Sequence, residues 1–275
     1  MVKATETGIK SRSARLPWLD GHPPHLPCVA SDIAPDVLLP GDPGRVDMVM
    51  EQLSNAVLHG QKREFRAATG MTAHGRPVTV CSTGIGGPST EIATVELSML
   101  GAERAIRIGG MGALLPGMPL GSLLIVESAT GHSGTRHVYS PGSSDEHASP
   151  DIVAALVQAA TILQVPFRVG RICTTDSYYL GQGRPIRLGD ETHETDRIDY
   201  ARAQNIAGFE METEALFAVG NKIGIQVGAV LAVHGNRVTD QWLEDYEPAQ
   251  KRLIAVACKA LDLLNQTVVP GSEHG

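Results

Sequence analysis

The chain has 275 residues with 23 Lys and Arg against 30 Asp and Glu, a formal charge of −7, and 42% hydrophobic content. This length and apolar content support one ordinary globular domain with a full core. An acidic chain without a dense basic run excludes an electropositive face for nucleic acid or an anionic membrane, so the expected partner is a small molecule.

Residues 1–24 are polar and carry Pro17, Pro23 and Pro24, and they read as a flexible arm. Residues 267–275 read as a flexible tail, which leaves 25–266 as the folded domain. No apolar signal core accompanies Lys3, Lys10, Arg12 and Arg15, and no run approaches the roughly 18 apolar residues of a membrane span. Cys28, Cys81, Cys173 and Cys258 are widely spaced without a C-x-x-C pair, a pattern of reduced thiols in a cytoplasmic protein.

The first predicted strand, 37–39, runs into Pro40-Gly41-Asp42-Pro43-Gly44-Arg45, a glycine turn that opens a predicted helix over 44–54. Backbone amides at a helix start beside a guanidinium make an anion site, although such turns also occur for structural reasons alone. The next strand, 78–81, leads through Cys81-Ser82-Thr83-Gly84-Ile85-Gly86-Gly87-Pro88-Ser89-Thr90 into a helix over 88–100. The G-x-G-x-x-G spacing is absent, which discounts a dinucleotide cofactor.

In the third strand, 105–108, Arg107 interrupts an apolar run just before Gly109, Gly110 and Gly112. A charge there needs a counter-charge, supplied either by an internal carboxylate or by an anionic substrate that the glycines let approach. A strand at 123–126 and a helix over 150–163 follow. Between them His132, His137 and His147 are too irregularly spaced for a zinc site, and no G-x-S-x-G elbow occurs in the chain.

Gly181-Gln182-Gly183-Arg184 follows Asp176-Ser177-Tyr178-Tyr179. A glutamine amide beside an arginine satisfies the acceptor–donor–acceptor edge of uracil while an aromatic ring packs on the base; a solvated loop is the competing reading. In Gly208-Phe209-Glu210-Met211-Glu212-Thr213-Glu214-Ala215, two carboxylates flank a methionine at the start of a predicted helix over 211–223. They either serve a helix N-terminus or grip the hydroxyls of a ribose diol. A strand at 227–233 and a helix over 247–264 complete an α/β pattern. The Val/Ile-rich runs predict a sheet covered on both faces, with ligands at the carboxyl ends of its strands.

Taken together and in this order, the Gly-Asp-Pro-x-Arg turn, the Cys-Ser-Thr-Gly-Ile-Gly-Gly-Pro-Ser run, Arg-Ile-Gly, Gly-Gln-x-Arg and Glu-Met-Glu resemble the nucleoside phosphorylase superfamily of hexameric purine and uridine enzymes, on its uridine phosphorylase side. The resemblance covers most of the chain from His25 onward. It implies a single-domain three-layer α/β/α fold with a central mixed, partly barrel-like sheet, and a catalytic domain over 25–266. The implied reaction is reversible phosphorolysis of a uridine-type nucleoside to free base and α-ribose 1-phosphate. Inorganic phosphate is then the co-substrate, and no organic cofactor is required.

Residue by residue, the resemblance implies phosphate contacts from Gly41, Arg45, Arg63, Arg107 and Gly110. Ribose contacts come from His25, Glu210, Met211 and Glu212, and base contacts from Tyr178, Gln182, Arg184, His234 and Gly235. Arg107, Arg184 and Glu212 carry the catalytic roles, and Asn236 and Arg237 form a flap. Arg63 and His25 would serve a neighbouring subunit, making a homodimer the minimal active unit and a hexamer the expected assembly. Glu64, Ile85 and Ser89 match positions that hold a monovalent cation, potassium, at the dimer interface in some members.

Two departures stand out. Gly110-Met111 replaces the hydroxyl residue usual after Arg-Ile-Gly, and His234-Gly235 replaces aliphatic residues near C5 of the base, which predicts a wider or more polar pocket. A phosphate-independent nucleosidase, a phosphorylase for a modified or other nucleoside, and a non-catalytic nucleoside-binding protein remain as alternatives.

Overall fold

Side chains along the apolar runs alternate between two separate cores, and that alternation sets the architecture. The computed structural model describes residues 3–4, 10–11, 13–189 and 195–264. The tail 267–275, and residues 1–2, 5–9 and 12 of the N-terminal arm, lie outside the described residues. Two short strands, β1 (Lys3–Ala4) and β2 (Lys10–Ser11), pair antiparallel with each other. Then come β3 (Asp36–Pro40), α1 (Gly44–Met50), β4 (Ser54–Lys62), β5 (Phe65–Met71), β6 (Pro77–Cys81), α2 (Gly87–Leu100), β7 (Arg104–Ala113), β8 (Leu123–Gly131), α3 (Gly134–Tyr139) and β9 (Asp145–His147). The chain continues through α4 (Pro150–Ile162), β10 (Phe167–Thr174), α5 (Thr195–Ala203), β11 (Ile206–Glu210), α6 (Thr213–Ile223), β12 (Gln226–Asn236), β13 (Gln241–Trp242) and α7 (Glu247–Leu264).

The main sheet is mixed and partly closed. Its order is β13-β12-β8-β10-β11-β7-β3-β6-β5-β4, and β12 also pairs parallel with β7, so that β12, β8, β10, β11 and β7 form a ring. The pairings β3–β7 and β3–β6 are parallel, whereas β6–β5 and β5–β4 are antiparallel.

Because side chains alternate faces along a strand, Leu38, Ile106, Ile108, Leu123, Ile125 and Val230 pack under α1, α4 and α7. Their sequence neighbours Val37, Leu39, Ala105, Leu124, Val126 and Ala229 pack under α2 and α6. Each fully buried aliphatic side chain contributes about 1.5–3 kcal/mol, so both layers hold the sheet, as the Val/Ile-rich runs predict. A third cluster of Leu114, Ile198, Ala201, Ile206 and Phe209 docks α5. No described helix is long and apolar enough to cross a membrane.

The predicted strands and helices are present, with differences that have local causes. The helix expected over 44–54 ends at Met50, and Ser54 already begins β4. That strand is mostly exposed and held by pairing to β5, so its burial pattern carries no apolar signal. The helix expected from 211 starts at Thr213, because Glu212 sits at its N-cap with φ −135° and ψ −25°. Pro88 and Pro150 occupy the first turns of α2 and α4, where the missing N–H costs nothing. The β4–β5 hairpin, β10, β11, α3 and α5 are additions to the predicted elements.

Candidate active site

The ends of β3, β6, β7, β11 and β12 converge on a cavity of about 230 Å³ whose lining includes Arg45, Arg107, Gly110, Met211, Glu212 and His234. Arg107 leaves β7 and enters this space buried. Its Nε donates to Glu210 at 2.9 Å and its Nη2 reaches Glu212 at 2.5 Å, while Nη1 is buried without a hydrogen-bond partner among the described residues. Such an orphan donor on a charged group is costly and calls for an explanation. The guanidinium faces the turn after β3. A Cβ built on Gly41 would lie 3.9 Å from Arg107 Nη1 and 3.2 Å from the Gly84 carbonyl, so glycine keeps this approach open.

Arg45, in the first turn of α1, donates through Nη1 to the Ile108 carbonyl at 3.0 Å. Among the described residues it forms no ion pair. Burial and the neighbouring Arg107 charge lower its pKa to about 10. Two buried guanidiniums thus share one wall with Gly110, and the combination favours an anion.

The structure separates the roles of the two carboxylates. Glu210 accepts from Arg107, from the backbone N–H groups of Glu212 and Thr213 at 2.9 Å, and from the Thr174 hydroxyl. Its oxygens are spent on capping α6 and orienting Arg107, so the ribose contact expected of its side chain is taken up by the protein's own donors. Glu212 is held at one oxygen by Arg107 and at the other by the Gly86 N–H at 2.6 Å. Gly86 has φ 92°, a left-handed conformation that favours glycine and that aims this N–H at the carboxylate. Each Glu212 oxygen keeps a lone pair for a hydroxyl donor. Burial raises its pKa, Arg107 opposes that rise, and the neighbouring Glu210 adds to it.

At the other end of the cavity, Gln182 is buried, with its Nε2 donating to the Thr175 hydroxyl at 2.9 Å and its Oε1 accepting from Arg184 Nη1. One amide hydrogen and one acceptor lone pair remain, side by side. The Arg184 guanidinium also donates to the Tyr178 carbonyl at 3.0 Å and lies 3.9 Å from the centroid of the Tyr178 ring. Arg237 pins this loop from β12 by donating to the carbonyls of Gln182 at 2.8 Å and Gly183 at 3.0 Å. Asn236 stands outside the base edge: its side chain donates to the Met118 carbonyl and accepts from Val238 and Thr239, building the turn.

The room expected at Gly235 is taken by Trp242, whose ring would lie 3.0 Å from a Cβ at that position. Trp242 lines the cavity and was not among the residues singled out from sequence. Its signal was available, since it is one of only two tryptophans and falls just after the flap residues. His234 turns toward Gly110, with its ring 5.5 Å from that of Tyr246.

Several residues do not reach this chain's own cavity. His25 is fastened to α2, with Nδ1 2.6 Å from Glu96 Oε1 and its backbone N–H on Glu96 Oε2. Arg63 is exposed in the β4–β5 turn with φ 54°. Beside it, Glu64 accepts from Ser89 at 3.0 Å and packs on Gly84, next to Ile85, which is 77% exposed and borders the cavity mouth.

A family model described as the phosphorylase superfamily matches residues 35–266. A uridine phosphorylase from Thermococcus kodakarensis is 38% identical over 241 residues, spanning 87% of this chain and 86% of that protein. One from Treponema pallidum is 38% identical over 244 residues, spanning 87% of this chain and 93% of that protein. A guanosine phosphorylase from Halorubrum lacusprofundi is 32% identical over 216 residues, spanning 78% of this chain and 84% of that protein.

Proposed function

The chain belongs to the phosphorylase superfamily, and from that membership we propose that it is a pentosyltransferase carrying out reversible phosphorolysis of uridine-type nucleosides, with inorganic phosphate as co-substrate. The observation that carries this reading is the pair of buried arginines, with Arg107 Nη1 unpartnered and Arg45 without an ion pair among the described residues, in the cavity that also holds Glu212 and Gln182. Phosphate binds against Arg45, Arg107, Gly41 and Gly110. Glu212 accepts from the ribose hydroxyls with Met211 beneath the sugar, while Glu210 acts through Arg107 and the start of α6.

The free amide hydrogen and lone pair of Gln182 match a C=O and N–H of the uracil edge, with Tyr178 and Arg184 beside the base. A phosphate oxygen forms a bond to C1′ as the C1′–N1 bond breaks, with inversion. The electron pair leaves on the base, which takes up the proton given by hydrogen phosphate. Charge develops positively on the ribose, between phosphate and Glu212, and negatively on the base, near Gln182 and Arg184. Fixed groups aimed at developing charge are the largest usual source of rate enhancement.

His25 and Arg63 lie away from their own cavity, which supports a site completed by the partner in a homodimer, and a hexamer of three such dimers. Glu64 and Ser89 bring hard oxygen donors together beside Ile85, a set that suits a monovalent cation such as potassium. They would hold it at that interface, where it would fix the loop after β6. The catalytic domain spans 25–266, and a cytoplasmic enzyme of pyrimidine nucleoside salvage fits this chemistry.

Base release from uridine, thymidine, deoxyuridine, cytidine, inosine and adenosine, with and without phosphate, tests the proposal. Phosphate-dependent release of uracil or thymine is the expected result. Robust turnover in phosphate-free buffer, or silence across the panel, overturns it.

A further inference from the structure

We infer that His234 takes the place of the hydroxyl side chain that Gly110 lacks, and that its Nδ1–H is a phosphate donor. The inference deepens the phosphate site proposed above and rests on that reading. Strands β7 and β12 run parallel, with Ala232 opposite Gly110, Val233 opposite Met111 and Gly235 opposite Gly112, so His234 is an extra residue at a register shift. A bulge of this kind re-aims a side chain beside an active site.

The ring lands on Gly110. A Cβ there would lie 2.4 Å from His234 Nδ1, 2.5 Å from Cε1 and 3.1 Å from Cγ. No side chain at 110 can coexist with this ring position, since real Cβ contacts do not approach so closely. Glycine at 110 and this position of the His234 ring therefore require each other, and the imidazole occupies the volume from which a side-chain hydroxyl at 110 would reach the anion.

The ring is fixed from behind. Nε2 lies 2.5 Å from the Nε2 of buried Gln250, and Tyr246 packs against one face. We assign the Gln250 NH2 as the donor to Nε2, which places the single ring proton on Nδ1, on the side of Gly110 and the cavity. Burial and the Arg45 charge lower the His234 pKa to about 4, so the ring stays neutral at physiological pH and offers one N–H.

Four variants of the full chain separate this role from mere packing: His234→Leu keeps bulk without a donor, His234→Asn places an amide N–H where Nδ1 stood, Gly110→Thr clashes with the ring, and Gly110→Thr/His234→Val rebuilds a hydroxyl contact. Inorganic phosphate is titrated calorimetrically into each, and phosphorolysis is measured at varied phosphate and varied uridine, with melting temperatures as a control for folding. His234→Leu should weaken phosphate binding about tenfold or more, the loss expected for one hydrogen bond to a charged group, with the uridine KM changed less than about twofold. His234→Asn should stay within about threefold of wild type, and the double variant should recover most of what Gly110→Thr loses.

Unchanged phosphate affinity in His234→Leu, or an equal loss in His234→Asn, overturns the inference. The double variant decides the case if His234→Leu fails to fold. Wild-type phosphate binding without uridine cleavage would defeat the uridine reading while leaving His234 in place; phosphorolysis indifferent to His234 would defeat this inference alone.

Discussion

Two hollows flank the end of β11, and Phe209 borders both: the cavity of about 230 Å³ with Arg45 and Arg107, and a cleft of about 680 Å³ whose lining draws on β8, β10 and α5. Two arginines of the larger cleft, Arg136 on α3 and Arg171 on β10, pair with carboxylates, although Arg171 Nε has no hydrogen-bond partner among the described residues. Arg136 lies 3.3 Å from Glu146 and 3.6 Å from Glu214, and Arg171 pairs with Asp145. Among the described residues of the smaller cavity, Arg45 hydrogen-bonds a carbonyl and forms no ion pair, Arg107 Nη1 has no hydrogen-bond partner, and Glu210 is shared with three protein donors besides Arg107. Volume points to one hollow and Arg45 to the other. A buried charge left without a counter-charge costs several kcal/mol, and Arg45, buried and without an ion pair among the described residues, supports the smaller hollow as the proposed anion site.

Removing an arginine from each side should give opposite signatures. Arg107→Ala should lower kcat/KM by about 10³-fold or more, as expected for loss of a main donor to the reacting anion, in steady-state assays at saturating uridine and varied phosphate. Arg136→Met should lower stability by about 3–5 kcal/mol, the usual cost of breaking a buried pair, while activity per folded molecule stays within about twofold. Denaturant melts and active-site titration check that pair of outcomes. Equal kinetic damage from both would erase the distinction between the hollows.

Gln182→Ala should cost about 2–3 kcal/mol, or roughly 10²-fold in kcat/KM for uridine, by leaving polar groups of the base unpaired. Its phosphate KM should hardly move, which splits the cavity into a base end and an anion end.

The smallest effect is on pH dependence. Burial raises the Glu214 pKa to about 7, so its folded form binds a proton more tightly than the unfolded chain does. The stability this gives is full below about pH 4.5 and is lost as pH rises through 7. His234, lowered to about 4, works in the other direction, its penalty growing as pH falls from about 6.5 to 4. Glu214→Gln should therefore make stability rise more steeply with pH between about 4.5 and 6.5 than in wild type, as read from melts across that range. A parallel pair of curves would contradict the assignment.

Much of this was legible in the chain because the motifs lie on or just after strands, and parallel strands deliver their carboxyl ends to one place. Arg107, interrupting an apolar run, announced an unmet charge, and the order of five motifs gave the family that the match over 35–266 shows. What escaped was three-dimensional. Glu210 and Glu212 look equivalent in sequence, and only the start of α6 at Thr213 makes one a cap and leaves the other facing the cavity. Gly110 and His234 are far apart in the chain, and only the shift in the β7–β12 register reveals that one fills the space of the other. Strand β4 was invisible because exposed Val57 and Leu58 sit among polar neighbours, so pairing to β5 and not burial makes it a strand.

Calorimetric titration of inorganic phosphate into wild type, Arg45→Met and Arg171→Met tests the central claim most directly. Saturable binding by wild type and Arg171→Met, with at least a tenfold loss in Arg45→Met, is the predicted result. Loss in Arg171→Met with retention in Arg45→Met would move the anion to the larger cleft and contradict the assignment of the active site.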